Sequence, residues 1–301
     1  MADKKKVVTK TVNRTGKSLV KKALVVKAKN QSNITTENIK KLNEKVLAHK
    51  EALKNKPEEV VVEKKDLTKE DKKYTLTVGL KDLLNAGCHL GHKISKTHPK
   101  AKENIYIQKD GIQIFDLIKT LAALEKACNF VYNQKRNGKQ VVLVGTKRQA
   151  REVVRRVAID AGVPYITDRW LGGTVSNWEQ IKKQIKKLID LRDGLNKGKF
   201  AESTKKELSE INKEISRLDR NVGGLVHLDK MFDVLFLVDA GFEKTAVSEA
   251  KIKKVKVVAI VDSDTNPLKI DFAIPANDDS VKSVTLLVEE IGRAIKAAGV
   301  K

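Results

Sequence analysis

The sequence predicts an α/β protein built on a doubly wound, mostly parallel sheet. Val141–Val144, Val234–Val238 and Val257–Val261 are apolar at every position, with no alternation. Strands apolar on both faces belong in the middle of a sheet covered on both sides. The stretches between them are long enough for helices, and a strand reached through a helix lies parallel to the one before it.

Taken in order, Leu80 to Asn85 reads as a short helix stopped at Gly87, and Ile112–Phe115 as a short strand. Leu117, Leu121, Leu124 and Ala127/Cys128 recur at helical spacing until Asn137-Gly138 ends that helix. After the strand Val141–Val144 comes a helix from about Arg148 to Ala161, closed by Gly162, then a strand at Val163–Ile166. Val284, Leu287, Val288, Ile291 and Ile295 mark one face of a closing helix from Val281 to Ala298.

Residues 177–222 break this alternation. Ile181, Ile185, Leu188 and Leu191 repeat at helical spacing, and Leu208, Ile211, Ile215, Leu218 and Val222 make a heptad seam. The break between them contains Gly194 and Gly198. The expectation is an inserted antiparallel coiled-coil hairpin.

Charge separates the first quarter of the chain from the rest. The 301 residues carry a formal net charge of +23. Residues 1–73 contain no aromatic residue and hold 21 lysines and arginines against 10 acidic residues. Such a segment buries little apolar surface to offset ordering entropy, so residues 1–75 read as a basic, low-complexity extension before a domain at 76–301. A weak helical pattern at Asn38 to Lys54 is the exception. The extension reads equally as an RNA-binding arm or a solubilising tail. Two cysteines, Cys88 and Cys128, cannot staple a chain of this size, and no apolar run is long enough to span a bilayer. Together with the lack of a signal-like N-terminus, this leads us to expect a cytoplasmic protein with an anionic partner and no membrane association.

The loop Gly145-Thr146-Lys147-Arg148 follows a strand and precedes a helix, a geometry that cradles phosphate. It lacks the further glycines of a dinucleotide or nucleotide-phosphate loop. Arg148, Arg151 and Arg155 fall on one stripe of the next helix, opposite Ala150, Val153, Val154 and Val157. That places three guanidiniums outward, each a fork matched to phosphate oxygens. Lys182, Lys183, Lys186 and Lys187 place like charges four apart on the first hairpin helix, either a solvated face or one with an anionic neighbour. Asp168-Arg169-Trp170-Leu171-Gly172-Gly173-Thr174 follows a strand end, where such folds carry ligand loops. Arg169 can reach phosphate, and Trp170 either stacks on a base or plugs the core. Cys88-His89-Leu90-Gly91-His92, with His98, has metal-ligand residue types but not the paired spacings of a structural site. His89 and His92 are therefore read as hydrogen-bonding or RNA-contacting residues. Asp239, Asp262, Asp264, Asp278 and Asp279 lie at or after strand ends without a partner that completes a catalytic group. The pair Asp278-Asp279 reads as the cap of the last helix.

Leu84-Asn85-Ala86-Gly87-Cys88-His89-Leu90-Gly91-His92, His98-Pro99-Lys100, Val144-Gly145-Thr146-Lys147-Arg148, Arg169-Trp170-Leu171-Gly172-Gly173-Thr174 with Asn177, and Ile274-Pro275-Ala276-Asn277-Asp278-Asp279 follow one another along the chain. In this order they resemble the ribosomal protein S-two family of the small subunit. Where the family usually has Gly, this chain has Ala276, which suggests a loop with no positive φ there or one slightly rearranged. The resemblance covers about Leu76 to Ala298 and implies a flavodoxin-like domain with a protruding bacterial-type coiled coil. It implies binding of small-subunit rRNA and neighbouring ribosomal proteins, and in bacteria the recruitment of the large mRNA-binding protein S-one. The extension is then expected to be largely disordered off the ribosome. The candidate rRNA contacts are Lys147, Arg148, Arg151, Arg155, Arg169, Trp170, Asn177, His89, His92, Lys96 and Lys100. No catalysis, cofactor or metal is expected, with Mg²⁺ present only through bound rRNA. A nucleotide-dependent α/β enzyme and a basic-armed DNA-binding protein are the rival readings.

Overall fold

The computed structural model describes residues 73–200 and 203–299. The basic extension up to residue 72, with its expected arm and weak helix, lies outside them.

The main sheet has five strands: β4 (Val141–Val144), β5 (Tyr165–Ile166), β6 (Val234–Leu237), β7 (Lys256–Val261) and β8 (Phe272–Pro275). Their spatial order is β5-β4-β6-β7-β8, and every pairing is parallel. In chain order that is 2-1-3-4-5, the flavodoxin-like arrangement, with its switch point between β4 and β6. The edge strand β8 went unread in the sequence because Phe272–Pro275 is short and ends in proline.

Alternate residues of the buried strands feed two cores. Val141, Leu143, Val234, Phe236, Val258, Ile260 and Ile274 point to one side. There they meet α2 (Leu117–Arg136), α3 (Arg151–Ala161) and α7 (Val281–Gly299). Val142, Val144, Leu235, Leu237, Val257, Ala259 and Val261 point to the other. That side is closed by α4 (Trp178–Asn196), α5 (Lys205–Val222) and α6 (Lys244–Ile252). Burying each such valine, leucine, isoleucine or phenylalanine contributes roughly 1.5–3 kcal/mol before the entropy of ordering is counted. The expected inward face of α7 is correct at all five positions, each fully buried.

The helices α4 and α5 occupy the stretch expected to form a hairpin. Their seam residues are the sheltered ones: Ile181, Ile185, Leu188, Leu218 and Val222 are buried. These five join the apolar cluster of the sheet face, so at this end the helices are part of the domain core. Lys187 pairs with Glu214 at 2.9 Å and Arg192 with Asp219 at 2.5 Å across the two helices.

Ahead of the parallel sheet lie α1 (Leu80–Asn85) and a second, antiparallel sheet. Its strands are β1 (Leu90–Lys93), β2 (Ile105–Lys109) and β3 (Ile112–Phe115), in the order β1-β3-β2. Only β3 was anticipated. The motif Cys88–His92, weighed in the sequence only for its chemistry, leads into strand β1, and Phe115 N–H donates to His89 C=O at 2.8 Å. This sheet is partly open outward, with Leu90, Tyr106, Ile107 and Ile112 all exposed. No helix among the described residues is long and apolar enough to cross a membrane.

Two glycines allow close helix packing. A Cβ at Gly145 would lie 2.6 Å from Val154 Cγ2, and one at Gly292 would run into Val157 Cγ1. We predict that Gly292→Ala lowers stability by about 1–3 kcal/mol, as overpacking does, measured by urea unfolding. Adding Val157→Ala should recover part of that loss. Simple addition of the two single losses would mean the close approach of α7 to α3 is not the cause.

Candidate functional site

The carboxyl ends of β4, β6 and β8 come together around one lysine. Lys147, just past β4, places its ammonium 3.2 Å from Asp239, 2.8 Å from Asp278 and 2.6 Å from Asp279. Its side chain is only 18% exposed. Burial alone would lower its pKa, but the hydrogen bonds to Asp278 and Asp279 and the charge of Asp239 outweigh that and raise it. Asp279 is held below the usual carboxylate range, chiefly by its bond from Lys147. Asp278 is nearly fully buried, so burial and the charges of Asp239 and Asp262 push its carboxyl up against the pull of Lys147.

His92 extends this cluster to the antiparallel sheet. Its Nδ1 lies 3.0 Å from Asp262 and its Nε2 3.5 Å from Asp279. Its backbone N–H donates to Ser263 Oγ at 2.9 Å. The bond to Asp262, with the charges of Asp262, Asp264 and Asp278, raises its pKa to about 9 in spite of burial. Alongside, Thr146 Oγ1 donates to the buried Glu243, whose pKa is raised by burial.

Two expectations are corrected here. The loop after β4 is not an open phosphate cradle, because the Lys147 ammonium is already neutralised by three carboxylates. The closing helix α7 is not capped by Asp278 and Asp279, because their carboxylates turn to Lys147. Sequence spacing could not reveal either, since the partners lie 92, 131 and 132 residues away.

The Arg-Trp-Leu-Gly-Gly-Thr loop is folded around a residue that sequence reasoning missed. Glu249, buried on α6, accepts the backbone N–H of Gly173 at 2.8 Å, of Val175 at 3.0 Å and of Ser176 at 3.1 Å. It also faces the indole N–H of Trp170 at 3.4 Å. Burial would raise its pKa, but these donors hold it below the ordinary glutamate value. Of the two readings of Trp170, the structure takes the core one: the residue is 7% exposed and belongs to the same buried cluster as Val144 and Ile166. It therefore offers no face on which a base could stack.

The arginine stripe is real but uneven. Ala150, Val153, Val154 and Val157 face the core as expected. The helix α3 starts at Arg151, however, leaving Arg148 in the preceding turn. Arg151 is exposed, but its Nε donates to Thr146 C=O at 2.8 Å and its guanidinium to Asp168 C=O at 3.2 Å. Its donors are partly engaged in closing the strand-end loops, a correction to the expectation of three equivalent free forks. Arg148, Arg155 and Arg169 are exposed and make no side-chain hydrogen bond or ion pair among the described residues. Asn177 is exposed at the start of α4, its N–H donating to Gly173 C=O at 2.8 Å. Lys96 and Lys100 are exposed on the segment between β1 and β2, where Lys100 N–H donates to His98 Nδ1 at 3.1 Å. His89 is half-buried, and its Nδ1 has no hydrogen-bond partner among the described residues. No group of His, Cys, Asp and Glu among the described residues could hold a metal ion.

Residues 83–298 match the family described as Ribosomal protein S2. The chain belongs to that family. It is 39% identical over 219 residues to the small ribosomal subunit protein uS2 of Dehalococcoides mccartyi strain CBDB1, a match covering 73% of this chain and 89% of the relative. It is 40% identical over 218 residues to the uS2 protein of Oenococcus oeni strain PSU-1, covering 72% and 84%. Family membership therefore covers the α/β domain with its two inserted helices, and begins at α1.

Two outcomes follow from the charge cluster. Lys147→Met leaves three carboxylates facing one another and should cost about 3–5 kcal/mol in urea unfolding, whereas a lysine that served only an external anion would cost almost nothing. His92 binds its proton more tightly folded than unfolded. Its contribution is complete below the unfolded value near 6.5 and is lost as pH rises through about 9. Stability should fall across that window, and His92→Gln should flatten the fall. An equally steep fall in the variant would remove His92 as the cause.

Proposed function

We propose that this protein is a structural constituent of the small ribosomal subunit, cytoplasmic, binding small-subunit rRNA through its exposed cations and neighbouring ribosomal proteins through its open apolar surface. It catalyses no reaction. The observation that carries the reading is the partition of charge. Lys147 and His92 are neutralised inside the domain, while Arg148, Arg155, Arg169, Lys96 and Lys100 stand exposed on a chain of net charge +23. Exposed, unpaired arginines gain most from phosphate, whose oxygens they meet as a fork. Recognition by such groups follows backbone and shape rather than base sequence. The names of the uS2 relatives, which place those proteins in the small subunit, support the same conclusion.

The outer face of the antiparallel sheet supports a protein neighbour. Leu90, Ile114 and Ile107 align across its three strands, with Lys93, Ile112 and Lys109 in the next row. Leu90, Ile107 and Ile112 are exposed there, an apolar stripe bounded by lysines that suits a partly acidic protein surface. Recruitment of the mRNA-binding protein S-one belongs to this part of the proposal.

A nucleotide-dependent enzyme is the less favoured reading, because the strand-end lysine such an enzyme would turn to a phosphate is held by carboxylates. Sedimentation of a cell lysate through sucrose at low salt with Mg²⁺ tests the proposal. The protein should travel with the small subunit, and Arg148→Ala/Arg169→Ala should shift a measurable fraction to the top of the gradient without lowering its melting temperature. Wild-type protein remaining at the top would overturn the reading.

A further inference from the structure

A polar cavity of about 290 Å³ opens where the end of β5 meets α3, α4 and α5. Arg155 of α3, Arg192 of α4 and Arg220 of α5 line it, with Asp168 and Asp219 as the only carboxylates among the described residues. Three guanidiniums against two carboxylates leave it net positive. Asp219 is engaged by Arg192 at 2.5 Å. Arg220 makes one side-chain bond, from Nε to Ser216 C=O at 3.3 Å, and Arg155 makes none among the described residues. Two forks on different helices therefore line one space with most of their donors unused. Gathering three arginines around a cavity costs repulsion in the free protein, which a bound anion relieves.

The floor is a turn packed tightly on its neighbours. The turn Gly223-Gly224 lies directly on β5, where a Cβ at Gly224 would collide with the carbonyl of Tyr165. A Cβ at Gly223 would likewise run into the Asp219 carboxylate, so the two glycines let the turn approach both β5 and the end of α5 closely. The volume lies at the lower end of small-molecule sites, enough for a phosphate and the sugar attached to it rather than a whole dinucleotide.

We propose that this cleft is a phosphate-binding site for the backbone of an RNA strand, with Arg155 and Arg220 donating to the phosphate and Arg192, oriented by Asp219, as the third cation. It brings the inserted helices into RNA binding together with α3, which the arginine stripe alone did not indicate. The inference rests on the rRNA-binding reading above and names one of its contact sites.

The test measures filter binding of deproteinised small-subunit rRNA to the full chain over a series of KCl concentrations. Arg155→Ala/Arg220→Ala is compared with wild type and with Arg156→Ala, whose guanidinium pairs with Glu289 at 2.6 Å. The double variant should bind about 10- to 100-fold more weakly, with the slope of log affinity against log salt shallower by about 1–2 units. Arg156→Ala should match wild type, and all three should melt alike. Wild-type affinity and slope in the double variant, while wild type binds the rRNA, would overturn the cleft and leave the broader reading standing. Failure of wild type itself to bind would overturn both. Adenosine monophosphate raising the wild-type melting temperature at micromolar concentration would show a free nucleotide site and contradict an RNA one.

Discussion

One half-buried ammonium sets the upper edge of this domain. Removing Lys147 from water costs several kcal/mol, and that cost is offset only because carboxylates from two other strand ends converge on it. The loop after β4 is thereby tied to the loops after β6 and β8, across the whole central part of the sheet. His92 carries the same network to the antiparallel sheet through Asp262 and Asp279. The positions of β1, of the segment bearing Lys96 and Lys100, and of the loop before α7 all follow from that convergence.

Glu249 solves the mirror problem on the other face. A buried carboxylate needs donors, and the loop from Trp170 to Ser176 supplies backbone N–H groups in a fixed curve. Arg169 stands exposed beside the buried Trp170. In both places internal charge is balanced internally and holds a loop in shape. The excess positive charge is left outside, and the proposed function depends on that division.

The fold was largely legible because its signals are local. Continuous apolar runs marked β4, β6 and β7, and helical periodicity marked α2, α3, α7 and the seams of α4 and α5. The antiparallel sheet was missed because β1 carries glycine and histidine, and β2 alternates too weakly in its exposed half to look like a strand. Ala276 has no positive φ, as its departure from the family's glycine suggested. The candidate site was legible in residue type but not in role. Lys147, Arg151, Trp170, Asp278 and Asp279 were all singled out, yet their partners lie far away in the chain. Spacing cannot distinguish a lysine waiting for phosphate from one already held by aspartates.

The division between inward and outward cations can be read residue by residue. Lysine- and arginine-directed modification, followed by peptide mass spectrometry, would compare the free protein with the assembled small subunit. Lys147 should resist modification in both states, while Arg148, Arg155 and Arg169 should react in the free protein and become protected in the subunit. A reactive Lys147 in the free protein, with the three arginines equally reactive in both states, would contradict the account.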